Sequence, residues 1–320
     1  MREESESGRD LVGPTGQSVD TGSATLRTWG PLVTLWIIWG TTFLGTSAMV
    51  QTMPPLLAAG ARYLFGGVLL ALVMVAERGT SCLRIPKGEL RSTAIAGIGI
   101  MGIWGAILGL ALQHIPGGIA ALIGATVPLW IILLRVVSGQ RINWHTSLGV
   151  AIGLLGVAAM LLPGGIAPVG GSSPGQIIFW SVAMLVASMT YAVFSWRSRS
   201  LDLPPDTLVS TVYQLLWAGA GIVAAGLVIG ERPLATPYSA TSWAGLAWLI
   251  FASVVGYAAY TFLVQNVPMS LVSTFAFVNP VVAVILGWFL LAEPISRSVV
   301  IGLLVVVTGT ALVVLGESRT

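Results

Sequence analysis

Ten long apolar stretches, broken only by short polar or Pro/Gly-rich segments, constrain the fold of this chain more than any other feature. Of its 320 residues 55% are hydrophobic and 8% are charged, and the mean hydropathy is +0.90. A soluble domain carries about 25% charged residues, so no soluble globule could bury this much apolar surface. We therefore predict ten transmembrane helices, near residues 31–51, 54–76, 92–112, 116–137, 145–162, 176–196, 207–229, 241–264, 268–291 and 298–315.

Residues 1–28 differ from everything that follows them. The segment is polar, of mixed charge and rich in Gly, Ser and Thr, a composition typical of disorder. Its acidic start lacks the basic region of a cleavable signal peptide, and the apolar stretch after it is long enough to span a membrane. We expect a disordered cytoplasmic tail.

The distribution of Lys and Arg predicts the orientation of the spans. With the tail inside, twelve of the 15 basic residues fall on the inner side, Arg232 and Arg297 fall outside, and Arg62 lies within the second span. Because cytoplasmic loops carry such an excess, we expect a multi-pass protein of the plasma (inner) membrane with both termini in the cytoplasm. The net charge of +3 does not imply a nucleic-acid partner.

The hexapeptide GIGIMG at 97–102 has the Gly-x-Gly-x-x-Gly spacing of a dinucleotide-binding loop. That loop requires a polar turn between a strand and a helix, with an acidic residue about twenty positions later. Here the glycines lie inside the apolar run 92–112, and no Asp or Glu occurs between Glu89 and Asp202. Small residues let membrane helices approach closely, so we predict a helix-packing face formed by Gly97, Gly99, Gly102, Gly105 and Gly109.

The two halves of the chain resemble each other. The segment LQHIPGGIAALIGATVP (112–128) aligns without gaps on VQNVPMSLVSTFAFVNP (264–280). The alignment pairs Gln113 with Gln265, Pro116 with Pro268 and Pro128 with Pro280. Five spans per half is an odd number, so the second copy enters the membrane from the opposite side. We therefore predict an all-α membrane protein in which ten transmembrane helices form two inverted five-helix repeats, 29–163 and 176–316.

Three segments carry a resemblance to a known family: WIIWGTTF (36–43), AAGARYLFGG (58–67) and FVNPVVAVILGWFLLAEPIS (277–296). They are similar to the ten-helix EamA-type exporters of the drug/metabolite transporter superfamily. The resemblance implies outward transport of small metabolites, commonly amino acids. The chain departs from the family at 139–141, where Gly-Gln-Arg stands in place of a frequent Gly-Glu pair. An acidic residue at this repeat-related position therefore exists only as Glu293.

Pro128 and Pro280 lie about twelve residues into their spans, which is near mid-membrane. A proline removes one helix hydrogen bond and frees a carbonyl, so each produces either a packed kink or a hinge beside a central site. We predict hinges because the two prolines are related by the repeat. Arg62 must face protein or a water-filled cavity, where it would bind a substrate carboxylate or pair with a structural partner.

Aromatic and small polar residues of the spans are candidates for the substrate pathway. Aromatic residues also fill cores and anchor membrane interfaces, so we expect only part of the set to contact substrate, with Trp39, Tyr257 and Tyr260 as first choices. The substrate-pathway candidates besides Arg62 are Trp39, Thr42, Trp104, Thr126, Trp130, Tyr191, Tyr257, Tyr260, Phe275 and Asn279.

Two titratable residues, His114 and Glu293, are expected at the rim or gate of the pathway. His114 lies in a tight turn, where capping is the alternative role, and Glu293 ends the ninth span with Arg297 nearby. The sequence offers no catalytic triad, paired carboxylates or metal-ligand cluster, and its single cysteine, Cys82, excludes a disulfide framework. We expect no enzyme activity, no cofactor and no metal.

These features predict a carrier. Inverted repeats let one central site face either side of the membrane in turn, and the family resemblance makes amino acids or related compounds the best guess for the exported substrate. The expected partners are a small-molecule substrate and the lipid bilayer; a monomer suffices, and a homo-oligomer stays open. The alternatives are a multidrug or toxic-cation efflux carrier, a membrane-embedded enzyme acting on lipid, and a channel.

Overall fold

The computed structural model describes residues 21–141, 144–160, 168–233, 237–266, 272, 274–291 and 296–317. Every regular element in this part of the chain is helical, which confirms the predicted all-α fold. The α-helices are α1 (Thr21–Met49), α2 (Pro55–Arg78), α3 (Lys87–Ala96), α4 (Ile103–Ala111), α5 (Gly117–Gly124), α6 (Val127–Val137), α7 (Trp144–Met160), α8 (Pro174–Ser198), α9 (Thr207–Ile229), α10 (Ala240–Asn266), α11 (Phe275–Leu291) and α12 (Arg297–Glu317). A 3₁₀ turn, Thr80–Leu83, follows α2, and a π-helical segment, Gly97–Gly102, joins α3 to α4.

Seven helical segments of the described chain are long and apolar enough to cross a membrane. They are Trp29–Met49, Pro55–Arg78, Lys87–Ala111, Gly117–Val137, Pro174–Ser198, Thr207–Ile229 and Ala240–Asn266. The other three predicted spans, at 145–162, 268–291 and 298–315, correspond to α7 and to the shorter apolar segments of α11 and α12. The protein is therefore a multi-pass membrane protein.

The first helix begins earlier than the sequence analysis expected. α1 starts at Thr21, so the last eight residues of the predicted disordered tail are helical. Residues 21–28 contain one glycine and no proline, and extending an existing helix costs far less than nucleating a new one. The rest of the predicted tail lies outside the described residues.

The GIGIMG segment packs against other helices, as predicted. It forms the π-helical part of the third span, and π-turns place one extra residue in a helical turn. A Cβ at Gly97 would overlap the backbone of Gln214, and one at Gly99 would overlap the ring of Phe194. One turn beyond the π segment, a Cβ at Gly105 would overlap the ring of Tyr63. The glycines thus bring the third span against α2, α8 and α9.

The fourth span is interrupted directly before its proline, whereas in the ninth span a turn at Thr274 precedes a helix that contains Pro280. α5 ends at Gly124 and α6 begins at Val127, so the break lies directly before Pro128. The missing N–H of proline explains the break, because the carbonyl of Gly124 loses its helical donor. By contrast, α11 continues through Pro280. A helix therefore begins directly before Pro128 but not directly before Pro280, and the hinge role stays a prediction for each proline.

The first five spans pack on the last five. α1 lies along α10, α2 along α9 and α7 along α12, while α5 packs on α11, and α4 and the π segment contact α8. These pairings are preserved when the two halves are exchanged. For example, the first span (α1) packs on the eighth (α10), and the equivalent third span (α4 with the π segment) packs on the sixth (α8). Gly60 and Gly219 permit the close approach of α2 to α9, because a Cβ on either would lie within 2.9 Å of the other's carbonyl oxygen.

Carboxylates fix both ends of the antiparallel α2–α9 pair. At one end Arg78, the last residue of α2, pairs with Asp206, the N-cap of α9, at 2.7 Å. At the other end Glu231 follows α9 and accepts hydrogen bonds from the amides of Leu56 and Leu57 at 3.1 and 2.8 Å. These ends correspond to the sides predicted as inner and outer, and their orientation in the cell stays a prediction.

Candidate functional site

An aromatic cluster joins α1, α10 and α11 around Trp39. The Trp39 ring stacks on Tyr260 with centroids 5.3 Å apart. It also makes edge contacts with Tyr257 at 5.9 Å and with Phe275 at 4.8 Å. Gly256 makes this arrangement possible, because a Cβ there would lie 2.7 Å from Nε1 of Trp39. Four predicted pathway residues from both halves of the chain therefore form one cluster.

Arg62 lies about 10 Å from the start of α2, at 1.5 Å per residue. Its guanidinium carbon lies 4.8 Å from the centroid of the adjacent Tyr63 ring, a cation–π distance. Nη1 donates a long hydrogen bond, 3.4 Å, to the hydroxyl of Thr46 on α1. Nε is buried and has no hydrogen-bond partner among the described residues. The charge is thus held by an aromatic face and one weak polar contact.

Tyr257 connects the aromatic cluster with Arg62. It lies close enough to interact electrostatically with Arg62 and with the hydroxyls of Tyr63 and Tyr191. Its own hydroxyl contacts the sulfur of Met101 at 3.6 Å, and a thioether is a weak acceptor. The ring of Tyr191 in turn contacts Trp104, with centroids 6.1 Å apart. The structure therefore brings together Trp39, Arg62, Trp104, Tyr191, Tyr257, Tyr260 and Phe275.

Thr126 and Trp130 belong to a separate polar network at the break in the fourth span. The Thr126 hydroxyl bonds the carbonyl of Ile123 at 2.6 Å and lies 3.0 Å from the hydroxyl of Ser188 on α8. Nε1 of Trp130 donates to Thr126 at 3.1 Å and to Ser188 at 3.0 Å. From α12, Thr310 donates to the carbonyl of Ala125 at 3.4 Å. These bonds satisfy polar groups that the interrupted helix leaves open.

Two other predicted pathway residues are engaged in helix contacts. Hydrogen bonding determines the amide orientation of Asn279, and its nitrogen then donates to the carbonyls of Phe275 and Trp36 at 3.2 Å each. Asn279 therefore ties α11 to α1. The hydroxyl of Thr42 donates to the carbonyl of Trp39 at 2.7 Å, within α1. Substrate contact by either residue stays a prediction.

The predicted rim residue His114 makes ordered contacts in the loop after α4. Its ring stacks on Trp180 with centroids 5.4 Å apart and planes 3° from parallel. Nδ1 lies 2.9 Å from the hydroxyl of Ser172, within hydrogen-bond distance. Glu293, the second rim residue, lies outside the described residues.

Sequence reasoning missed several residues of these sites. Thr46, Tyr63, Met101 and Ser188 occupy apolar stretches without an individual signal, since Ser and Thr commonly bond backbone carbonyls in membrane helices. Their roles follow from which helices meet. A lateral groove of about 330 Å³, lined by Arg91, Ala94, Ile95, Ile98, Gly99, Ile103 and Phe194, contains none of the predicted site residues. Within the described chain no group of three or more His, Cys, Asp or Glu could hold a metal.

The fold and these sites define a multi-pass membrane protein with an apolar exterior, a largely aliphatic core, and a cluster of aromatic and polar side chains assembled from both halves. A model of the EamA-like transporter family matches residues 31–162 and 175–315, and the chain belongs to this family. It is accordingly a membrane transporter.

Similar proteins carry transporter names. The chain is 33% identical over 294 residues to the Escherichia coli K12 protein named uncharacterized inner membrane transporter YedA, covering 91% of this chain and 92% of that protein. It is 22% identical to the uncharacterized transporter YoaV of Bacillus subtilis, covering 87% and 93%, respectively. A crystal structure with 22% sequence identity superposes with a TM-score of 0.63 over 93% of this chain and 99% of that chain, which shows the same fold.

Proposed function

We propose that this transporter exports small metabolites, with amino acids and related compounds as the substrate class, by alternating access. One observation carries the proposal: aromatic side chains from α1, α2, α8 and α10 form one connected set that includes Arg62. Ligand sites are typically built from aromatic walls with a few polar groups that orient the ligand. The outward direction follows the family resemblance.

The relation between the halves supports alternating access. The pairings between spans are preserved when the halves are exchanged, as an inverted repeat requires. The two repeat-related spans nevertheless differ, since the fourth is interrupted before Pro128 while α11 continues through Pro280. The start of the helix relative to its proline thus differs between the two halves, and exchanging this difference between the halves would open the site to the other side.

The same features favour a metabolite carrier over a cation exporter or an enzyme. A lipophilic cation needs a buried anion to leave water, yet each acidic residue that the structure describes lies in a loop or in a terminal turn of a helix. We propose an inner-membrane location with both termini in the cytoplasm. The positive-inside rule supports it, and the relative YedA is named an inner membrane transporter.

Counterflow tests the proposal. Proteoliposomes containing the full chain are preloaded with one unlabelled amino acid at a time, and uptake of trace labelled amino acid is followed. A carrier is expected to accumulate label transiently, whereas a channel only equilibrates it. If no amino acid in the panel stimulates uptake above empty liposomes, the assigned substrate class is wrong.

A further inference from the structure

Arg62 indicates which chemical group the transported molecule must contain. A guanidinium has five N–H donors and no acceptor. Among the described residues its hydrogen-bond partner is Thr46, whose hydroxyl already donates to the carbonyl of Thr42 at 2.8 Å and therefore serves Arg62 as an acceptor. Nε is buried without a partner in the described part of the chain. Several donors of a half-buried cation are consequently available to a ligand.

The charge of Arg62 is also not balanced by a described carboxylate. Asp206 pairs with Arg78 at one end of α2. At the other end, where Arg62 lies, both oxygens of Glu231 are occupied by the amides of Leu56 and Leu57. An unpaired cation inside a membrane protein is costly, so binding an anionic group at this position would remove an existing penalty as well as form new bonds.

The groups around Arg62 complete a site for one negative charge and an apolar body. The Tyr63 ring supports one face of the guanidinium without using its N–H groups. The Tyr257 hydroxyl donates its proton to a weak sulfur acceptor and is a second available donor. Tyr257 also lies within electrostatic range of Tyr191 and Tyr260, and the Tyr260 ring stacks on Trp39. No described acidic residue is positioned there for an ammonium group.

We propose that Arg62 binds the carboxylate of the transported molecule, and that recognition requires this carboxylate but not an α-amino group. The assignment rests on the proposed transport function and narrows its substrates. Small carboxylic acids with an apolar or aromatic body are substrates, including amino acids and their 2-hydroxy-acid analogues. Amides, esters and decarboxylated amines of the same body are not. A fork-shaped guanidinium suits a carboxylate because two parallel N–H bonds form at once.

A matched set of four compounds tests the inference on the wild-type chain. Phenylalanine, 3-phenyllactate, phenylalaninamide and phenethylamine share one aromatic body and differ in the charged groups. Each is offered as the preloaded compound in counterflow of labelled phenylalanine, and the leucine series is run in parallel. We expect the two carboxylates to drive exchange within about threefold of each other, and the amide and amine to be about 10- to 100-fold weaker, as loss of a charge-assisted hydrogen bond predicts.

Variants locate the effect at Arg62. In Arg62→Gln we expect the exchange driven by the two carboxylates to fall about 10- to 100-fold, to the level driven by the amide. Arg62→Lys should retain part of the preference for carboxylates, because lysine keeps the positive charge but lacks the forked pair of N–H donors. Arg91→Gln removes an exposed positive charge on α3 and is the matched control. Both Arg62 variants are first checked for a monodisperse elution profile.

The outcomes separate the two proposals. If the carboxylates exchange in the wild type but the amide and amine do so equally well, the carboxylate requirement is wrong and the transport function stands. The same conclusion follows if folded Arg62→Gln keeps the wild-type preference. If none of the compounds in either series exchanges, the carboxylate proposal for apolar and aromatic bodies is wrong, and the transport function fails as well only if no amino acid of the full panel stimulates uptake. Should Arg62→Gln not fold, the wild-type panel and Arg62→Lys still decide the matter.

Discussion

Replacing Glu231 by Ala should destabilise the end of the helix that carries Arg62. The Glu231 carboxylate accepts two hydrogen bonds, at 3.1 and 2.8 Å, from amides in the first turn of α2. Those amides have no partner within their own helix, and they form the positive end of the helix dipole. Pro54, the N-cap residue of α2, provides no side-chain hydrogen bond, so Glu231, which follows α9, takes over the capping role.

The size of the effect follows from these contacts. Loss of an N-terminal cap costs about 0.5–2 kcal/mol and loss of a charge at the dipole about 0.3–1 kcal/mol. Because Glu231 is only half-buried, water replaces part of the lost bonding, and we expect about 1–2 kcal/mol in total. At about 2–4 °C per kcal/mol, the melting temperature falls by about 2–8 °C. The melting temperature of Glu231→Gln, which keeps one carbonyl acceptor, should lie between those of Glu231→Ala and the wild type.

Cys82 provides the assay. It is the single cysteine of the chain and is half-buried near the opposite end of α2, so a thiol-reactive fluorophore reports unfolding of the bundle in detergent during a temperature ramp. Glu77→Ala is the control, because it removes an exposed acidic side chain near the other end of the same helix. A Glu231→Ala melting temperature within about 1 °C of that of Glu77→Ala would refute the capping argument, because the expected loss is larger.

Three further predictions concern motion, orientation and coupling. Pro128→Ala restores the N–H donor that is missing at the helix break. It should slow transport turnover severely without loss of membrane insertion, and Pro280→Ala should also slow turnover. Normal transport by the double variant would contradict the hypothesis that the two prolines are hinges. A cysteine at position 172 (Ser172→Cys), in a cysteine-free background, should react with a membrane-impermeant thiol reagent on intact cells. Labelling only after permeabilisation would show that the predicted topology is wrong. Substrate flux should either be independent of an imposed pH gradient or lose its dependence on the gradient in Glu293→Gln or His114→Gln. Strong accumulation driven by the pH gradient that persists in both variants would contradict the assignment of coupling to these two residues.

The spans were predictable because a membrane imposes its own rules on sequence. Backbone polar groups have no water partners in lipid, so an apolar stretch of sufficient length must be helical. The interpretation of GIGIMG followed for the same reason, because glycines within an apolar run without turn residues serve close helix contact. Trp39, Tyr257, Tyr260 and Phe275 were predicted as substrate-pathway candidates. The structure brings them into one cluster, although their order of contacts could not be deduced from the sequence, and substrate contact stays a prediction.

Which polar groups find a partner was decided only by the tertiary structure. Pro128 and Pro280 are equivalent in sequence, yet a helix begins directly before Pro128, whereas α11 runs through Pro280. At the break before Pro128, Ser188 and Thr310 from distant helices bond Thr126 and the carbonyl of Ala125. Asn279 was predicted to line the substrate pathway, and in the structure its amide ties α11 to α1.

The same holds for charge. The sequence shows no partner across helices for either Glu231 or Arg62. The packing of α9 against α2 gives Glu231 two amide partners, whereas the Nε of Arg62 has none among the described residues. Hydropathy specifies where helices run through the membrane because lipid acts on each residue separately. Pairing depends on which side chains meet across helices, and this is a property of the assembled bundle.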